Sequence, residues 1–145
     1  MKTGFTVEVV WWDADVIKYR CTGSNGSFSG ATEVYMNHSD LSEMAEALSG
    51  FPLRADDVRD VELGQFDPSC AGGGVKLHFY CLDSVGHAAV EMRLRGDTCT
   101  ALGDVESVAL RIALEAAAID RFADEIGKID LSANTKAHLQ MAGIA

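Results

Sequence analysis

Two short acidic pairs, Asp13-Ala14-Asp15 and Asp56-Asp57, bring carboxylates close enough to bind a hard cation or to raise one pKa by repulsion. Neither pair has the further oxygen ligands, at loop spacing, that a cation site needs, so both read as solvated turns. The chain's other reactive groups are four histidines, His38, His78, His87 and His138, and four cysteines, Cys21, Cys70, Cys81 and Cys99. There is no G-x-S-x-G, no C-x-x-C and no Cys/His cluster with zinc spacing. Asp67-Pro68-Ser69-Cys70-Ala71-Gly72-Gly73-Gly74 offers amides to an anion, but it lacks the lysine and hydroxyl of a Walker loop and leads into a strand pattern rather than a helix. It reads as a hairpin loop. No residue is assigned a catalytic role, no metal or cofactor is implied, and the balance is against an enzyme. Cys21 and Cys81 fall in apolar strand patterns and Cys70 and Cys99 in loops, all expected as reduced thiols.

The positive charge is more informative. Lys18, Arg20, Lys76, Arg93, Arg95 and Arg111 fall on the outward positions of strand patterns, interleaved with His78 and Tyr80. Lys76, His78, Tyr80, Arg93, Arg95 and Arg111 therefore define a candidate binding face, rich in residue types that interfaces favour; the alternative is that this face or the glycine loop binds a small ligand or anion. The competing reading is that cross-strand pairs with Glu62 and Glu91 only solubilise that face. An open sheet face carrying Val10, Trp12, Tyr80 and Leu82 has more apolar area than solvent exposure needs, which makes Trp12 and Leu82 candidate interface residues and a homodimer an expected assembly. The alternative is that residues 131–145 cover this face.

Composition bounds the class. The chain has 145 residues, 48% of them hydrophobic, 23% charged and only 2 proline. A folded chain of this size buries roughly 70% of its unfolded surface, enough for one domain with a real core. Twelve lysines and arginines against 22 acids give a net charge of −10, which repels nucleic acid and anionic membrane and favours a basic protein partner. The opening FTVEVVWW, broken by Glu8 and followed by Asp13 and Asp15, is a strand pattern rather than a signal peptide. With no apolar run of about 18 residues, a cytoplasmic location is expected.

The elements follow from changes of period. Residues 5–12 and 14–21 are strand patterns, and Thr22-Gly23-Ser24-Asn25-Gly26 turns the chain into a third over 27–36. Asp40 and Glu43 have capping-box spacing at the head of a helix over 40–49, with Leu41, Met44, Ala45 and Leu48 on one stripe. From residue 58 the period is two. Val75, Leu77, Phe79 and Cys81 alternate with polar neighbours, as do Val90, Met92 and Leu94 and then Val108, Leu110, Ile112 and Leu114, giving a four-strand antiparallel meander. Ile119, Phe122, Ala123, Ile126 and Ile129 mark a second helix over 115–129. The fold expected is α+β in two layers: one antiparallel sheet of six or seven strands with two helices on one face. Residues 1–130 form the domain, and 131–145 a tail that is poorly ordered or weakly helical.

The stretch IKYRCTGSNGSFSGATEVYM, the helix headed by Asp40, FDPSCAGGGVKLHFYCLDSVGHAAVEMRL and the closing EAAAIDRFADEI together resemble a family of small, functionally uncharacterised bacterial proteins, over about residues 16–127. Families with this order of elements resemble polymorphic-toxin immunity proteins, acidic single domains that neutralise a toxin by binding it. The resemblance implies a non-enzymatic binding function and assigns no residue a role.

Overall fold

Alternating apolar side chains build most of this protein, and two amphipathic helices fill what the strands leave open. The computed structural model describes residues 2–66, 72–97 and 105–143. Strands β1 (Gly4–Trp12), β2 (Val16–Ser24) and β3 (Ser29–Asn37) run antiparallel in succession. Helix α1 (Asp40–Leu48) follows, then the meander of β4 (Val58–Gly64), β5 (Gly74–Cys81), β6 (His87–Arg95) and β7 (Ser107–Glu115), each pairing with the next. Helix α2 (Ala116–Gly127) leaves β7 directly, and β8 (Lys136–Leu139) returns to pair with β1. Among the described residues no helix is long and apolar enough to cross a membrane.

The α+β class and the antiparallel pairing are as the sequence indicates, but the strands do not form one sheet of six or seven. They form two four-stranded sheets, ordered β3-β2-β1-β8 and β4-β5-β6-β7. β3 does not pair alongside β4. It crosses the ends of all four meander strands, with Gly30 against Val108, Thr32 against Arg95 and Gly73, and Val34 against Gly64. Four residues of β3 span about 13 Å, and three strand spacings are about 14 Å, so those contacts require β3 to lie nearly perpendicular to the meander. Alternation assigns a face to each side chain; it does not say which edges meet.

The helices occupy the wedge between the sheets rather than one face of a single sheet. They touch each other, α1 also reaches β4, and α2 reaches both β7 and β8. Phe122 of α2 meets Phe5 edge-on, and Phe51, just after α1, meets Phe79 in the same way. Ile119, Phe122 and Ile126 thus join one buried cluster with the inward residues of both sheets. The expected capping box on α1 is not formed: Ser39 is the N-cap, and the Asp40 carboxylate instead accepts the Asn37 N–H at 2.8 Å.

The tail also differs from expectation. Residues 136–139 are a strand whose Ala137 and Leu139 are buried and whose Lys136 and His138 face outward. The alternation is there, but four residues are too few to distinguish it from chance. β1 is thereby paired on both sides from Phe5 to Glu8.

The crossing is tight enough to require glycine. A Cβ on Gly73 would lie 2.0 Å from Thr32 Oγ1 and 2.6 Å from the Arg95 carbonyl oxygen. Gly73→Ala is expected to cost about 1–3 kcal/mol of stability by overpacking this crossing. Gly143→Ala, with nothing within 4 Å of the new methyl, is expected to stay within about 0.5 kcal/mol of the parent. Urea denaturation of the two variants checks this, and equal stability would show that the sheets are free to separate.

Candidate functional site

The meander's outward face is assembled largely as the sequence indicates. Cross-strand register brings Asp60, His78, Glu91 and Arg111 into one row, Glu62, Lys76 and Arg93 into the next, and Val58, Tyr80 and Ala89 into a third. It is not a basic face. His78 Nδ1 lies 2.6 Å from Asp60, Arg93 Nε donates to Glu91 at 2.9 Å, and the Lys76 ammonium sits 4.6 Å from the centre of the Phe66 ring. Each of these groups is already engaged by a neighbour.

Arg95 does not belong to that exposed face. It is 5% exposed, because the chain after β4 folds over it: its guanidinium donates to the carbonyls of Gln65, Gly72 and Gly96 and lies 5.6 Å from the Phe66 ring centre. Its own carbonyl accepts the Thr32 hydroxyl at 2.8 Å. Residues 67–71 of the glycine loop, with Cys70, lie outside the described residues, as does Cys99. Of the loop's remaining glycines, Gly73 donates its N–H to the Glu33 carbonyl at 2.8 Å, so that amide is engaged within the protein.

Reactive side chains gather at the β5–β6 turn, around a cleft of about 320 Å³ lined in part by Arg54, Cys81, Asp83 and Ser84. His87 Nδ1 is 2.5 Å from Asp83, and that hydrogen bond, with the charges of Asp83 and Glu115, raises the imidazole pKa above 6.5. Cys81 is ill placed to be a nucleophile. Burial and the charges of Asp57, Asp83 and Asp56 push its thiol pKa up, the reverse of what a reactive thiolate needs. The cluster therefore serves to fasten the turn, where the Asp83 carboxylate also accepts the Val85 and His87 amides.

The strongest surface feature is the far end of β1. Trp12 is 50% exposed, Trp11 49% and Val10 44%, and these are the chain's two tryptophans. A β-bulge between Val9 and Trp11 makes the exposure possible: Val9 pairs with Tyr19, but Trp11 already pairs with Lys18 and Trp12 with Ile17. The two rings therefore lie on opposite faces of the strand. With Val9, Val10, Leu131 and Thr135 they line a groove of about 290 Å³, and Leu131 also forms part of an adjoining cleft of about 220 Å³ with Tyr19, His38 and Ser42.

Two ionised carboxylates belong to residues adjacent in the chain to groove residues, and one of these residues, Asp130, lines the adjoining cleft. Asp13 follows Trp12, and its carboxylate accepts the Val16 and Asp15 amides at 2.8 Å each, which lowers its pKa. Asp130 precedes Leu131 and accepts the amides of Asn134, Ser132 and Ala133, which brings its pKa down to about 2. The nearby cations already have partners: Lys18 pairs with Glu33 at 3.3 Å and Lys136 with Glu8 at 3.5 Å.

Trp12 and Leu82 do not share one sheet face. Both are half-exposed, but Trp12 belongs to the first sheet and Leu82 follows the last residue of β5 in the second. Sequence reasoning missed Trp11, Leu131 and Thr135. The available signal was the unbroken VVWW, which no period-two strand can hide on one face. Compared with protein-family models, curated protein sequences and solved structures, the chain matches none.

Asp130 is the residue whose charge holds the groove wall. Its folded pKa lies below the ordinary 3.8, so its stabilising contribution is present above 3.8 and is lost as pH falls through about 2. Asp130→Asn keeps an acceptor oxygen but removes the charge. The variant is expected to be less stable than the parent at neutral pH, with the gap closing as pH falls from 3.8 towards 2. Urea midpoints across that range check this; a gap independent of pH would refute it.

Proposed function

We propose that this protein is a non-enzymatic, acidic binding protein, immunity-like in its action, that works in the cytoplasm by capturing a basic protein partner. One observation carries the reading: two half-exposed tryptophans stand at the end of a sheet strand, with Asp13 next in the chain and Asp130 in the adjoining cleft, both carboxylates held ionised by backbone amides. Tryptophan is the residue type most enriched at the energetic centres of interfaces. The net charge of −10 adds long-range attraction for a cationic surface and speeds the encounter. A second copy of the chain is a poorer occupant, since it would bring like charge against like charge.

A second reading, binding of a small anion, is favoured by a different feature. On the outer face of the first sheet Lys2, Arg20, Lys136 and His138 gather with Thr6 and Thr22 around a concavity of about 210 Å³. Glu8 and Glu33 already neutralise part of that charge, which ranks this reading below the first.

Affinity capture from the native host tests the proposal, with the immobilised protein compared with a Trp11→Ser/Trp12→Ser variant in low salt. A basic protein is expected to be retained by the parent, released as salt rises, and held at least about tenfold less well by the variant, a loss of about 1.4 kcal/mol. Retention of nothing, or equal retention by both, would overturn the reading.

A further inference from the structure

Among the described residues, the outermost strands β8, β3, β7 and β4 each carry some edge protection, and one further strand end is left open. An edge strand presents unpaired amides and carbonyls on which another chain can add, and proteins block such edges with charge, bulges or cover. On β8 the His138 N–H is taken by the Glu125 carboxylate at 2.9 Å. On β3 the Glu33 carbonyl accepts Gly73, and on β7 the Ala113 carbonyl accepts the Ala142 N–H at 2.8 Å. β4 presents the exposed carboxylates of Asp60 and Glu62.

The open end belongs to β1. β8 pairs with it from Phe5 to Glu8, and the Val9 N–H bonds to the Thr135 carbonyl at 2.9 Å. Beyond Val9 the chain of β8 turns away through the Asp130–Asn134 turn, and among the described residues no strand pairs with Val10–Trp12 on that side. This stretch carries no charge of its own, and its bulge lies in the pairing with β2 rather than in a pairing on the open side.

We infer that the groove at Val10–Trp12 receives an extended, basic segment of a protein partner, which adds as a strand to the open end of β1. The inference rests on the binding reading proposed above and specifies how the partner docks. Two features select the occupant. Trp11 shares the outer face with Lys18, whereas Trp12 shares the opposite face with Ile17, so alternate residues of an added strand meet one tryptophan and then the other. Cationic residues suit the Trp12 side, where an indole face attracts a guanidinium and the adjoining cleft, shared with Ile17, contains Asp130; apolar residues suit the Trp11 side, which Lys18 shares and where the Glu33 carboxylate is already paired with Lys18. A second copy of the chain would present β1 again, without cations to meet the aspartates. The open stretch is about 10 Å long, so main-chain pairing supplies orientation, and the tryptophans and aspartates supply selectivity.

Tryptophan emission reports this site alone, because the chain has only these two. The probe is a peptide without aromatic residues that alternates arginine and valine, titrated into the full chain. Three comparisons accompany it: a glutamate and valine peptide, an arginine and valine peptide N-methylated at alternate amides, and the Trp12→Lys variant, which keeps Trp11 as reporter. The arginine peptide is expected to shift the emission saturably, and both the N-methylated peptide and the Trp12→Lys variant are expected to bind at least about tenfold more weakly. The glutamate peptide is expected to leave the emission unchanged. Equal binding of the N-methylated peptide would overturn strand addition while leaving acidic capture standing. An arginine peptide that leaves the emission unchanged would overturn this docking mode even if host capture succeeded. Failure of capture alone would instead count against the wider binding reading.

Discussion

The seating of β3 across the ends of the meander is the contact on which the rest of this fold depends. Two sheets can share one core at a large crossing angle only if the strands at the corner approach closely, and here Thr32 reaches the Arg95 carbonyl while Gly73 gives its amide to Glu33. Glycines at 30, 64 and 73 remove the side chains that would hold the backbones apart. Arg95 then closes the corner from the meander side, its two terminal nitrogens donating to three carbonyl oxygens and its guanidinium covered by Phe66. With the corner fixed, the two sheets diverge from it and leave an apolar wedge. The helices, with the ring of Phe122 on Phe5, fill that wedge, and the ring of Phe51 packs on Phe79.

That geometry also decides which surfaces are free. The inward face of each sheet is used by the common core, and on the outward face of the meander His78, Arg93 and Lys76 are engaged by Asp60, Glu91 and the Phe66 ring. The end of β1 farthest from Gly4, where the strand has passed beyond β8, is left without a strand partner on that side among the described residues. The bulge after Val9 turns the strand at the point where the core stops needing it. Exposure of two large aromatic rings there is therefore a local consequence of strand length and one extra residue.

Much of this was legible in the chain itself. The meander's register follows from the alternation of Val75, Leu77 and Phe79 with Lys76, His78 and Tyr80, because a half-buried strand has only one way to sort such a sequence. Both helices were visible as period changes, at Asp40 and at Ala116. Arg95 was misplaced for a physical reason: its outward parity is that of Arg93, and its burial comes from Gln65 and Phe66, thirty and twenty-nine residues earlier in the chain. β8 was missed because four residues carry almost no periodic signal, and the two-sheet arrangement because patterning fixes faces and leaves edges open. Trp12 was identified, but the bulge that exposes Trp11 beside it comes from pairing with β2 and has no counterpart in composition.

The pairing of β1 with β8 joins Phe5 to Leu139, nearly the two extremes of the described chain. Such a contact gives the topology a high contact order and makes it among the last to form. During synthesis the edge of β1 from Phe5 to Glu8 therefore waits for its partner until Leu139 has left the ribosome. Nascent chains in this state are exposed to sticking at strand edges, and the hydrophobic FTVEVVWW has little in it to prevent that. The excess of acids over bases sets like charge against like between copies of the unfinished chain, which opposes such sticking whatever the finished protein binds.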